Sequence, residues 1–567
     1  MSFGPSQIIF KASTFGAVGS SRSGPTSGKI IAPTRTTPFT SLTTNVSGVP
    51  SRKPSSTISK VTRNTSRAAP VALTEEVTPS SDIPPPYDII DVKAAQVELK
   101  YLHDTESENF DLSREHELQT APILTREAYV AAEYEDHTTQ YGVIGSALSI
   151  HSRANIYIPA DPRLYINTNA PFSAVVCGVQ GSGKSHTVSV LLENMFIPNQ
   201  PTIGSLEKPL SGLVLHFGEG GPNSRPSETA WVGVASKPGI TAPTVRVFVS
   251  KSSLNTMKAV YAPLGARVTV EPLLFKEEEL DAQAFLSMMA VGSSESAPLY
   301  IQISVLRELG ENFSYERFID RLEDQKRSFN PAQLAGLEQR MALLNSFMEF
   351  RPYGRRMQPQ RTAPRFAAGQ LTIIDLSDPF IDSPSACGLF EIVTRLFVRA
   401  EVGTGKVLVV DEAHKYLSQN RSVAGLTKAL LTLTREQRHL AMRVIISTQE
   451  PTVIPPVLLD LCTVSILHRF SSPSWWDHLA RHVSADISAD DAFDNIVKLQ
   501  TGEAIMLAPS GLGVFPEDLR ATSRTIAPNS KGALKLSQFG RRYILMKTRV
   551  RVTKDGGASI LVVGPSK

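Results

Sequence analysis

The chain is poor in cysteine, in long apolar runs and, over its first 74 residues, in acid. Its three cysteines, Cys177, Cys387 and Cys462, lie far apart in 567 residues. They form no CxxC pair and have no metal-ligand spacing. A disulfide framework is therefore not expected, and the usage points to a reducing compartment. No apolar run approaches the ~18 residues that span a bilayer. The longest, such as Val407–Val410, are strand-sized, so we expect a soluble intracellular protein without a transmembrane segment. Residues 1–74 contain no Asp or Glu and nine Lys or Arg. The formal net charge of +4 thus belongs to the tail and is poor evidence that the folded part binds nucleic acid.

Residues 1–87 are rich in Ser, Thr, Pro and Gly. Such a segment buries too little apolar surface to offset its ordering entropy, and we expect it to be disordered. An acid-free, Ser-rich basic stretch also resembles an organelle transit peptide, which would make the location mitochondrial rather than cytoplasmic or nuclear. Against this, the first Arg is at 22 and no clear amphipathic helix starts the chain. Pro84-Pro85-Pro86-Tyr87 is a PPxY match. Its prolines favour the extended polyproline form that WW domains recognise.

Residues 88–164 look mixed. From 165 to about 525, short β-branched runs alternate with helical patterns. The strand candidates are Ala174–Cys177, Leu213–Phe217, Val245–Val249, Leu371–Leu376, Val407–Val410, Val444–Ser447 and Val464–Leu467. This is the signal of an α/β fold with a mostly parallel sheet and helices on both faces. Residues 270–350 break the rhythm. There Leu334, Leu337, Met341 and Leu344 repeat at helical spacing, so we expect an all-helical insertion. The C-terminal part, 526–567, reads as a hairpin extension. Its strands flank Asp555-Gly556-Gly557 within Tyr543–Val563. Lys547, Arg549 and Arg551 would share one face of the first strand, either solvated or turned to phosphate.

Gly178-Val179-Gln180-Gly181-Ser182-Gly183-Lys184-Ser185 fits GxxxxGK[ST] in full. A strand precedes it. A helical run through His186, with Val188, Leu191, Leu192 and Met195 on one face, follows. Glycines let the backbone N–H groups turn inward and form an anion nest at a positive helix end. The spacing points to an ATP site in which Lys184 reaches the β- and γ-phosphates and Ser185 ligates Mg2+. Val407–Val410 then ends in Asp411-Glu412 at the strand edge where ligands bind in open α/β sheets. Asp411 suits Mg2+ binding through water, and Glu412 suits a general base. Gln449, at the end of the Val444–Ser447 strand, can both donate to and accept from a γ-phosphate or attacking water. Arg435, Arg438 and Arg469 are candidates to stabilise phosphoryl charge, in cis or from a neighbouring subunit. Arg438 is the favoured one. Asp411–His414 spells Asp-Glu-Ala-His. No second helicase-like domain with its arginine motif follows, so His414 reads as a helix-face residue near the site.

Several ordered pieces resemble the HerA/FtsK superfamily of hexameric P-loop motors, including its HerA branch and the type IV secretion ATPases. Asn167–Ser185 resembles the family's first strand and Walker A motif, and Leu371–Leu376 a strand after the helical insertion. Val407–Leu417 is similar to its Walker B motif. Thr434–Pro451 looks like a helix end with arginines and a Gln-bearing strand, and Leu499–Met506 like a closing strand. The resemblance covers about residues 165–525. It implies a RecA-like sheet with an additional strand and a catalytic glutamate, assembly into a ring of identical subunits, and ATP-driven movement of DNA through a pore. It carries over Lys184, Ser185, Asp411, Glu412 and Gln449. Asn167–Ser173 has no arginine where some HerA-type proteins have a finger. A nucleotide-dependent switch or scaffold, and a motor that moves protein, stay open as alternatives.

Overall fold

The computed structural model describes residues 115–133, 140–153, 155–221, 223–282, 284–285, 304–310, 313–327, 329–349, 363–417, 424–483, 489–516 and 534–557. The tail 1–87, and with it Pro84–Tyr87, lies outside these residues, as does the second half of the expected C-terminal hairpin.

A continuous run of parallel strands forms the centre. In hydrogen-bonded order they are Val268–Pro272, Thr244–Val249, Gln370–Asp375, Ser211–His216, Lys406–Val410, Met442–Thr448, Ser173–Cys177 and Val464–His468. Every strand expected between Ala174 and Leu467 is present, with ends moved by a residue or two. Met442–Thr448 lies between Ser173–Cys177 and Lys406–Val410. It is the additional strand of a RecA-like sheet.

The apolar runs are continuous because this sheet is covered on both faces. Alternate residues point to opposite sides. Val175, Cys177, Leu408 and Val410 join one core with Leu389, Phe390, Leu426 and Leu430 of the helices Ser383–Arg399 and Ala424–Glu436. Ala174, Val176, Val407 and Val409 join a second core. It includes Val188, Leu191, Leu192 and Met195 of the helix Lys184–Phe196.

The expected all-helical stretch, 270–350, is not helical at its ends: the strand Val268–Pro272 enters it and Phe275 bridges to Met348. Between them, only helical elements are described within 277–346, among them Tyr315–Lys326 and Pro331–Ser346. The second starts on a capping box between Asn330 and Gln333 and buries Leu337, Met341 and Leu344 against the first core. Leu334, expected on the same stripe, is half-buried.

Beyond Val464–His468 the sheet turns antiparallel, through Glu503–Leu507, Tyr543–Thr548, Tyr141–His151, Arg163–Asn167 and Ile123–Thr125. Strands from both sides of the expected boundaries at 164/165 and 525/526 therefore share one sheet. Tyr543–Thr548 pairs with Glu503–Leu507 and Tyr141–His151. The residues after it, Arg549–Gly557, form a strap across the helix Lys184–Phe196 rather than a strand of a hairpin.

Candidate phosphate-binding site

The strand Ser173–Cys177 is buried throughout and delivers Gly178 to the edge of the sheet. Gly178 has φ 150°, and a Cβ there would lie 2.7 Å from the His468 side chain. Gly183 has φ 114° and backs onto Gly502, 3.0 Å from where its Cβ would be. Both positions exclude a side chain, so the loop can turn inward only with glycine. The Val179 N–H donates to the Arg469 carbonyl at 3.0 Å, and the Ser182 hydroxyl donates to the Val179 carbonyl at 2.7 Å. His468 braces the loop from below. Its Nδ1–H donates to the Glu503 carbonyl at 2.9 Å, and its Nε2 lies 3.0 Å from the Thr187 hydroxyl. Burial holds this imidazole neutral, with its pKa down to about 4.

The helix Lys184–Phe196 begins without a side-chain cap, so its first-turn N–H groups face the loop unsatisfied. Lys184 is only 4% exposed, and its ammonium makes no hydrogen bond to a described residue. Burial pushes its pKa down, opposed by Glu412 and Asp411. A buried cation beside uncapped N–H groups is a site built for an anion.

Asp411 ends the strand Lys406–Val410 and is buried. Burial alone would raise its pKa. The His216 hydrogen bond and charge, with Lys184, bring it below the usual carboxylate range. His216 Nδ1 lies 3.1 Å from Asp411 Oδ2. Burial opposes its charge, but the Asp411 hydrogen bond and the charges of Asp375 and Asp411 outweigh that and raise its pKa, which favours an ion pair between the two. Tyr416 donates to the Asp411 carbonyl at 2.9 Å and fixes the backbone.

Glu412 sits at φ 50°, ψ 42°. This left-handed conformation costs a non-glycine residue ~1 kcal/mol and turns the side chain away from the strand direction. Its Oε2 accepts from Gln449 Nε2 at 2.8 Å. The Gln449 N–H lies 3.4 Å from His414 Nδ1, which places the His414 proton on Nε2, 3.4 Å from Glu412 Oε2. Burial lowers the His414 pKa, with Glu412 opposing. His414 thus stands on the short 3-10 helix Ala413–Lys415, next to the site.

Gln180, Gly181, Gly183, Lys184, Ser185 and His186 line one cavity of about 750 Å³ together with Asp411, Glu412 and Gln449. Gly178, Val179 and Ser182 shape the loop beneath it. The cavity would admit a triphosphate, and its donors match one. Among the described residues no group of three or more His, Cys, Asp and Glu could hold a metal. The oxygens of Asp411 and Ser185 therefore fit Mg2+ only when phosphate oxygens and water complete the shell. Arg435 and Arg438 are exposed and off the cavity wall, and Arg469 lends only its carbonyl. Within one chain, then, the expected Arg438 is not brought to the site.

Sequence reasoning passed over His216, Arg225 and Glu228, which also line the cavity. His216 carried a signal, a polar residue at the C-terminal edge of a strand. Arg225 lies in a loop and Glu228 opens the 3-10 helix Glu228–Gly233, and neither belongs to a motif. The basic residues of the C-terminal strand are corrected. Lys547 and Arg549 both line the cavity, but the Arg549 and Arg551 guanidinium groups are drawn to the buried Glu193 on the helix Lys184–Phe196, at 2.6 and 3.8 Å.

Burial and the nearby Asp555 raise the Glu228 carboxyl from its ordinary 4.5 to about 7. Between those values the folded protein holds a proton that the unfolded chain has lost. Stability therefore falls as pH rises from about 4.5 through 7. Glu228→Gln should leave stability unchanged near pH 4 and raise it near pH 8, read from urea midpoints at the two pH values.

No protein-family model and no curated protein matches the chain. Solved structures similar to it include VirB4 of Thermoanaerobacter pseudethanolicus, at 11% identity over 72% of this chain and 97% of that one, with a TM-score of 0.38. The genome packaging NTPase B204 from Sulfolobus turreted icosahedral virus 2, in complex with AMP, has 10% identity over 60% of this chain and 94% of that one, with a TM-score of 0.25. The bacterial conjugative coupling protein TrwBdeltaN70 has 10% identity over 65% and 90%, with a TM-score of 0.34.

Proposed function

We propose that the chain is an ATP hydrolase of the HerA/FtsK type that works as a ring-forming motor on DNA. The observation that carries the hydrolase reading is the convergence of Lys184, Asp411, Glu412 and Gln449 on one cavity at the C-terminal edge of the sheet. The motor and its DNA substrate rest on the sequence pieces that resemble the family.

In this reading the uncapped N–H groups and Lys184 hold the β- and γ-phosphates and offset the charge that develops on transfer. His216 holds Asp411 ionised and oriented. Mg2+, bound by Asp411 and Ser185 with the phosphates, would supply a further positive charge to the phosphoryl oxygens. Glu412 takes the proton of the attacking water. Gln449 fixes the carboxylate that does so.

Lys184→Ala should weaken ATP binding by roughly a hundredfold, the effect of losing a buried charge-assisted contact. Calorimetric titration measures it. ATP turnover with single-stranded DNA, double-stranded DNA and no DNA, alongside particle mass with and without ATP, tests the motor. A monomer whose turnover ignores both DNAs would overturn that part. Turnover at the wild-type rate in Lys184→Ala would overturn the site assignment.

A further inference from the structure

The strap Arg549–Gly557 is seated along its length. Its deepest anchor is Glu193, which is fully buried and accepts from Arg549 Nη1 at 2.6 Å, the Thr553 hydroxyl at 2.6 Å, and the Val552 and Thr553 N–H groups at 3.0 and 2.9 Å. The Ser236 N–H donates to the Val552 carbonyl at 3.0 Å, and the Lys554 N–H donates to Val234 at 2.8 Å. Gly556 lies flat on the Trp231 indole, 1.9 Å from where a Cβ would be. Only a side chain of no size fits there.

The seated strap forms one wall of the phosphate cavity. Its first contact with the phosphate loop is at His186, one residue past Ser185, whose Nε2–H donates to the Arg549 carbonyl at 2.8 Å. The Asp555 carboxylate lies 3.6 Å from the other nitrogen of the same ring. In the proposed cradle, a triphosphate with its terminal groups at Lys184 would run along the first turn of the helix, past Ser185 and His186, which line the same cavity. Whatever is attached to it then meets the strap. Two side chains of the strap face the cavity there. Val550 is 84% exposed and lines the cavity with apolar surface. Asp555 also lines it, half-exposed; its Oδ1 accepts from the Gly557 N–H at 2.9 Å and lies 3.7 Å from Arg551 Nη1, while its Oδ2 faces His186 and accepts no hydrogen bond from a described residue.

We propose that this strap is the nucleoside clamp of the site, with Val550 packing against the base and Asp555 accepting hydrogen bonds from the ribose hydroxyls. A carboxylate pairs well with a vicinal diol, as it does in dinucleotide folds. An apolar side chain offers any base a flat contact without reading its edges. The clamp therefore selects ribose over deoxyribose more strongly than it selects one base over another. It rests on the reading of Gly178–Ser185 as a triphosphate cradle.

The test is calorimetric titration of the full chain with ATP, dATP and inorganic tripolyphosphate, using wild type, Val550→Ser and Asp555→Ala. Wild type should bind ATP more tightly than dATP, and both more tightly than tripolyphosphate. Asp555→Ala should lower ATP affinity roughly tenfold, to about that of dATP, which is the size of one charge-assisted hydrogen bond. Val550→Ser should weaken ATP and dATP alike, and neither substitution should change tripolyphosphate binding. Unchanged ATP affinity in both variants overturns the clamp. So does tripolyphosphate affinity that falls in step with ATP, since the strap would then act on the cradle. Wild-type protein that binds tripolyphosphate but gains nothing from the nucleoside overturns the clamp and leaves the cradle standing. Wild-type protein that binds none of the three removes the cradle and the clamp together.

Discussion

Glu412→Gln should bind ATP with near wild-type affinity and hydrolyse it about a thousandfold more slowly, the usual range for loss of a general base. The expectation follows from what the substitution keeps. Glutamine has the length and shape of glutamate, so the left-handed backbone at φ 50° carries the same load. The new amide can present its oxygen to Gln449 Nε2, where the carboxylate now accepts at 2.8 Å. The side chain therefore stays in place, and only its basicity is lost. Asp411→Asn would be a poorer test, because it also breaks the ion pair with His216. The measurement is single-turnover hydrolysis beside equilibrium ATP binding. Wild-type hydrolysis in Glu412→Gln would move the base to another carboxylate on the cavity wall. Glu219 and Glu228 are both there, and a rate that rose through pH 7 would single out Glu228.

The centre of this fold is legible in the chain because its physics is local. A strand buried on both faces reads as an unbroken apolar run, and Val407–Val410 is one. A phosphate loop reads as glycines at fixed spacing. The antiparallel flank is not legible in the same way. Tyr141–His151 contains Gly142 and Gly145 and reads as a weak strand. The glycines are there because a Cβ at Gly142 would fall 2.3 Å from Asn194, and one at Gly145 would fall 2.2 Å from the Lys547 carbonyl. What weakens the strand signal is what lets the helix and the neighbouring strand approach. The strap was hidden for a related reason. Asp555-Gly556-Gly557 has the composition of a hairpin turn, but Gly556 serves contact with Trp231, more than three hundred residues earlier in the chain. Arg549 and Arg551 read as surface charge until the carboxylate that draws them is located. Glu193 sits in the middle of an apolar helix face, and nothing in the local pattern says that its partners come from the other end of the sequence.

That carboxylate carries the largest stability effect we expect. Glu193→Ala should cost about 3–5 kcal/mol, the usual result of removing one partner from a buried ion pair. The magnitude comes from what is left behind. The Arg549 and Arg551 side chains are 11% and 3% exposed, and burial already lowers both pKa values against the pull of Glu193. Without the carboxylate, two guanidinium groups remain in a site that water hardly reaches, and the Val552 and Thr553 N–H groups lose their acceptor. Such orphaned donors cost about 1–3 kcal/mol each when no water replaces the bond. Glu193→Gln keeps one acceptor oxygen and should lose less. Combining Glu193→Gln with Arg549→Met removes both charges, and the pair should be less destabilised than the sum of the single changes, because an apolar replacement for a buried ion pair is often near neutral. Urea midpoints of the four proteins measure the coupling. Strict additivity would mean that Arg549 and Glu193 do not depend on each other, and that the strap is held by its other contacts, among them the Thr553 hydroxyl on Glu193. Where the coupling is present, loosening it should also weaken ATP binding while sparing tripolyphosphate, since the proposed clamp would meet the nucleotide only beyond the phosphates.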